Sequence, residues 1–162
     1  SVTCNNASGT GGTFVVRGYD IYGYPMSETL TSAPGSALLV NGKKAFKYIA
    51  SVTPGFTDAT YTYSVGTTDI FGLPLASTYF GDVSISYPST WVTSATGYTA
   101  GVTTVATATT GDVRGTYALQ TASDGTRRMI LSQSILPNNI ALANGPGGTA
   151  VTGLFGVAQF SS

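Results

Sequence analysis

At 162 residues the chain has the length of one domain and can bury roughly 70% of its unfolded surface without a metal or disulfide staple. Only 9% of its residues are charged, seven acidic side chains balance seven basic ones, and histidine is absent. This composition excludes a long-range field for nucleic acid or acidic lipid, and it removes the commonest general base and metal ligand.

Scarce charge also favours self-association unless the surface is covered, which points to life inside an assembly. Cys4 is the one cysteine, so no intrachain disulfide forms, and it reads as an inert thiol near a loose terminus. No apolar run approaches the about 18 residues that a membrane helix needs. Because the chain opens at Ser1 with neither Met nor a signal-like segment, it is expected to be processed, trimmed or partly represented. The expectation is a single β domain over 1–162, with 1–12 as a loose N-terminal segment.

Taken in order, 13–19 is a strand, and Asp20-Ile21-Tyr22-Gly23-Tyr24-Pro25-Met26 turns it into a second alternating run at 26–30. Residues 31–42 read as a loop with Pro34-Gly35 and Asn41-Gly42 as turn dipeptides. In 42–52, Phe46, Tyr48 and Ala50 share one strand face, opposite Lys47, Ile49 and Ser51. The cleanest alternation is 60–65. The turn string then returns, 49 residues on, as Asp69-Ile70-Phe71-Gly72-Leu73-Pro74-Leu75. Gly supplies positive φ and Pro fixes its own, so Asp20, Gly23, Pro25 and Asp69, Gly72, Pro74 predict two equivalent structural corners.

Residues 82–87 alternate again and end at Pro88. The low-complexity Thr/Ala stretch 93–110 packs weakly, so its first half reads as loop and 102–109 as a strand or edge. Runs at 113–122 and 127–135 flank Asp124-Gly125, the strongest short-range hairpin signal. A Gly-rich loop at 143–149 precedes a final strand at 151–160. Roughly nine or ten short strands, with no convincing helical period, predict an all-β chain: an antiparallel β-sandwich or jelly-roll-like barrel.

Chemistry is hard to place. The seven carboxylates could supply the acid and base of a glycosidase, but Asp20, Asp69 and Asp124 sit in turns, where Asp caps its own backbone. Neither a calcium loop nor a zinc pattern is present, so no cofactor or metal is expected. Gly42-Lys43-Lys44 lacks the earlier glycine and the following Ser or Thr of a phosphate loop. Lys43, Lys44 and Lys47 read as a solvated loop edge or a docking patch. Arg127 or Arg128 is expected to pair across with Asp124 or Asp112. Among the aromatics Tyr19, Tyr22, Tyr24, Phe71, Tyr79, Tyr87, Trp91 and Tyr98, all read as packing residues except Tyr22 and Tyr24 at the first corner.

Several strings, in order, resemble a family of tailed-phage head-decoration or capsid-cement proteins. They are 16–29 around Asp20-Ile21-Tyr22-Gly23, 42–49 (Gly42-Lys43-Lys44-Ala45-Phe46-Lys47-Tyr48-Ile49) and 64–74. Gly111-Asp112-Val113-Arg114-Gly115-Thr116-Tyr117, Ser123-Asp124-Gly125-Thr126-Arg127-Arg128 and Leu154-Phe155-Gly156-Val157 add to them. Matches scatter over about 13–160. The resemblance implies a non-enzymatic all-β shell component of the virion, assembled in the host cytoplasm. It would sit in many copies on the major capsid protein, as a homo-oligomer, commonly a trimer. One departure is the start, where a segment before the first strand would be usual. Under this reading Tyr22, Tyr24, Lys43, Lys44 and Lys47 contact the capsid, and no nucleic acid or membrane is engaged. The alternative is a carbohydrate-binding β-module of a tail or surface fibre, using Trp91 or Tyr98; a glycoside-acting enzyme comes third.

Overall fold

The computed structural model describes residues 1–5, 8–34, 39–56, 60–87, 90–134 and 155–159. They form an all-β chain of twelve strands in four antiparallel three-stranded sheets, and none of these closes into a barrel. One 3-10 turn, Phe80–Asp82, is the only helical element among the described residues. No helix there is long and apolar enough to cross a membrane.

The chain divides into two compact units. The first comprises Ser1–Thr68, Thr107–Thr110 and Gln159–Ser162; the second comprises Asp69–Ala106 and Gly111–Ala158.

In the first unit, β1 (Val2–Cys4), β2 (Thr13–Tyr19), β3 (Pro25–Thr31), β4 (Leu39–Val40), β5 (Tyr48–Pro54) and β6 (Tyr63–Val65) build two sheets, ordered β4-β1-β6 and β3-β2-β5. The alternation of β2 explains its place. Phe14 and Val16 point inward with Leu30 and Val2, while Thr13, Arg17 and Tyr19 point out. Each such side chain contributes about 1.5–3 kcal/mol on burial. Phe56 and Tyr63 close the cluster edge-on, with Phe14–Phe56 at 5.2 Å and Phe56–Tyr63 at 5.0 Å between ring centroids. The expected loose N-terminus is instead the central strand of its sheet, with Val2 and Cys4 fully buried. Three residues are too few to show a period.

The second unit is also two sheets over one cluster. β7 (Ile70–Gly72), β8 (Val83–Tyr87), β9 (Thr90–Val92), β10 (Tyr98–Ala100), β11 (Gly115–Ala118) and β12 (Ile130–Gln133) order as β10-β11-β7 and β12-β8-β9. Leu73, Val83, Ile85 and Tyr117 form its core. The connectivity differs from the first unit, so the repeated string does not mark a duplicated fold.

Three sequence expectations change. Residues 102–109 hold no strand, and the low-complexity stretch contributes β10 instead. The strands flanking Asp124-Gly125 do not form a hairpin: β11 pairs with β10 and β7, and β12 pairs with β8. Residues 155–159 hold no strand, only an isolated bridge at Gly156; the rest of the predicted final strand, and the 143–149 loop, lie outside the described residues.

Candidate interaction surface

The first corner is built on a buried aspartate. Tyr22 N–H and Tyr24 N–H both donate to Asp20 Oδ1 at 2.9 Å. Asp20 N–H donates to Tyr24 O at 3.0 Å, and Gly23 N–H donates to Asp20 O at 3.1 Å. Gly23 takes φ 81°, the left-handed conformation that Gly adopts without strain. Asp20 is 2% exposed, whereas Tyr22 and Tyr24 are 42% and 58% exposed. The corner thus holds the tyrosines out instead of folding them back.

Two more tyrosines stand at the same end of the sheet. Tyr19 lies opposite Pro25 on one side and Tyr48 on the other. The Tyr19 and Tyr48 rings stack at 6.3 Å with 29° between planes, 43% and 62% exposed. Register puts them together. Gly18 permits the close pairing, since a Cβ there would collide with the Tyr48 carbonyl. The shift between Arg17 and Gly18 then leaves Ala50 without a partner on β2. Lys47 N–H donates to Tyr19 O at 2.9 Å, which seats the exposed Lys47 beside the stack, and Arg17 is exposed on the adjacent outward position of β2. Reading single strands missed this pair because cross-strand register sets it.

The three lysines split. Lys43 N–H and Lys44 N–H donate to the two Glu28 carboxylate oxygens at 2.5 and 3.3 Å, so the Gly42-Lys43-Lys44 loop binds an anion belonging to the chain itself. Lys44 is buried and adds its charge to Glu28, leaving Lys43 and Lys47 as the exposed pair. Burial raises the Glu28 pKa, opposed by those amide bonds and by the charges of Lys44 and the N-terminus.

The second copy of the corner string is not a corner. Ile70, Phe71 and Gly72 are strand residues zipped to β11, Gly72 opposite Thr116 and Phe71 opposite Tyr117, and Gly72 does not take positive φ. Asp69 accepts from Ser123 N–H at 3.0 Å, and Pro74 lies in the bend after the strand. Asp124-Gly125 does make a turn, with Gly125 at φ 75° and Thr126 N–H and Arg127 N–H donating to Asp124 Oδ1 at 3.0 and 2.6 Å. Arg127 pairs with Asp124 inside that turn at 3.4 Å, not across strands.

Asp112 pairs with Arg114, 3.6 Å away and fully buried beside it; Arg114 Nε also donates to Leu73 O at 3.2 Å. Tyr98 is held by Ser77, with 2.8 Å between hydroxyls, and packs on Phe80. Asp58 lies outside the described residues. Of the other carboxylates, Asp20, Glu28, Asp82 and Asp112 are buried, and Asp69 is half-buried. No group of three metal-ligating side chains occurs among the described residues. The exposed charge there is therefore mostly basic: Arg17, Lys43, Lys47, Arg127 and Arg128 against Asp124. No family model, curated protein or solved structure matches the chain.

Proposed function

We propose that the chain is a capsid decoration protein, a non-enzymatic virion component that docks on the major capsid protein through the tyrosine end of the β3-β2-β5 sheet. The observation that carries the reading is the outward cluster of Tyr19, Tyr22, Tyr24 and Tyr48, fixed by Asp20 and by strand register. Tyrosines give large contact area with little side-chain entropy to lose, as anchors of protein interfaces do. Asp20, Glu28, Asp69, Asp112 and Asp124 spend carboxylate oxygens on backbone amides of their own chain, which favours architecture over acid–base chemistry.

On the particle, each copy adds interface area that resists internal pressure, and each interface needs about 1,000 Å² to be specific. Contacts among neighbouring copies, as in a trimer, extend the same role. The test is the copy number in purified particles. Hundreds of copies support decoration of the shell, and a dozen or fewer place the protein in the tail or portal.

A second reading, a carbohydrate-binding module, rests on Trp91, 60% exposed on the edge strand β9. Tyr98 is half-buried, bonded to Ser77 and packed on Phe80. Silence across a broad glycan panel removes this reading.

A further inference from the structure

Sheet edges distinguish one strand. Six of the eight edge strands among the described residues, β4, β6, β7, β9, β10 and β12, run two to four residues. Such short edges template little further pairing. β3 has seven residues, but its Met26, Ser27 and Glu28 are all buried and Thr29 N–H donates to Ala108 O at 2.7 Å. β5 also has seven, lies at the end of its sheet, and is exposed at every position except the half-buried Val52. Its other side carries no strand among the described residues.

Proteins usually blunt so long an edge with a charge or cover it. From Tyr48 to Thr53 the sequence reads Tyr-Ile-Ala-Ser-Val-Thr, with no charged residue. Only Pro54 and the Ala50 irregularity limit the ladder. The charges stand around it instead: Lys47 just before the strand, Arg17 opposite Ser51, and Lys43 in the preceding loop. The carboxylates of this unit that the structure describes, Asp20 and Glu28, are both turned inward.

We infer that the open edge of β5 accepts an extended, acidic segment of a partner protein as an added fourth strand, its carboxylates meeting Arg17, Lys43 and Lys47. Main-chain hydrogen bonds to β5 supply affinity, and side chains alternating onto the Tyr19–Tyr48 stack supply register. A second copy of this chain fits poorly. Among its described residues the exposed charges are nearly all basic, and the one exposed carboxylate there, Asp124, is engaged by Arg127. This deepens the docking reading of the same surface and rests on it.

The experiment uses seven-residue peptides of alternating Val and Thr, the length of β5, flanked by aspartates or by lysines. A third peptide, aspartate-flanked, is N-methylated at alternate residues, and oligo-dT serves as the nucleic-acid control. Binding is read by fluorescence anisotropy, and its place by amide hydrogen exchange. The aspartate peptide should bind and protect amides within 48–54, while the N-methylated and lysine peptides and oligo-dT should not. The R17E/K47E variant should weaken binding about tenfold. No binding of the aspartate peptide, equal binding of the lysine or N-methylated peptide, protection elsewhere, or preference for oligo-dT overturns the inference. Copy number on particles separates the two claims. Strand addition with few copies per particle removes the shell role alone, and high copy number without strand addition removes this docking mode alone.

Discussion

Asp20 and Tyr24 are bound to each other twice: the Tyr24 N–H donates to Asp20 Oδ1 at 2.9 Å, and the Asp20 N–H donates to Tyr24 O at 3.0 Å. This reciprocal pair turns a Gly-Pro corner into a mount for two outward tyrosines. Asp20→Ala strips the turn of its acceptor and should cost about 1–3 kcal/mol, whereas Asp20→Asn keeps an oxygen in place and should cost less. Urea midpoints of the two variants check the ranking.

Glycines in the sheet and in its turn should respond differently. Gly18→Ala drives a Cβ into the Tyr48 carbonyl, a backbone atom that cannot swing away, and should destabilise by about 3 kcal/mol or separate β5 from β2. Gly23→Ala has nothing within 4 Å and meets only the strain of φ 81°, about 1–2 kcal/mol. Denaturation of both variants, with hydrogen exchange at 48–54, distinguishes them.

Much of this was legible from pattern and some was not. Thr13–Tyr19 and Val83–Tyr87 alternate long enough for period two to declare them. The order of partners was hidden. Asp124-Gly125 makes a turn, but β11 pairs with β10 and β7 and β12 pairs with β8, so no hairpin follows. Asp69-Ile70-Phe71-Gly72 carries the corner residues, yet pairing with β11 holds them extended. Tyr22 and Tyr24 could be picked out because a turn exposes its side chains. Tyr19 and Tyr48 could not, since they meet only through the register of strands far apart in sequence. Equal numbers of acids and bases likewise conceal that most described acids are inside.

The buried pair of the second unit should be intolerant of losing one partner. Asp112→Ala leaves the Arg114 guanidinium, 2% exposed, without its carboxylate and should cost about 3–5 kcal/mol. Replacing both with apolar residues should cost less than the single change, which a double-mutant cycle measures.

Glu28 predicts a pH dependence of definite sign. Its folded pKa is raised above the ordinary 4.5, chiefly by burial, so the native state holds the proton to higher pH than the unfolded chain does. Between 4.5 and the raised value, the Glu28 contribution to stability falls as pH rises. The difference in unfolding free energy between the native chain and Glu28→Gln, followed from about pH 4 to about pH 7, should shrink across that window. A difference that grows with pH contradicts the assignment.

Docking is proposed through the tyrosine end of the β3-β2-β5 sheet. Its most direct test is the occupancy of purified particles by the Tyr22→Ser/Tyr24→Ser double variant, with urea unfolding as the control for folding. Truncating two aromatic anchors should leave the unfolding midpoint unchanged and lower occupancy about tenfold or more. Full occupancy by a folded double variant contradicts it and leaves the corner as architecture alone.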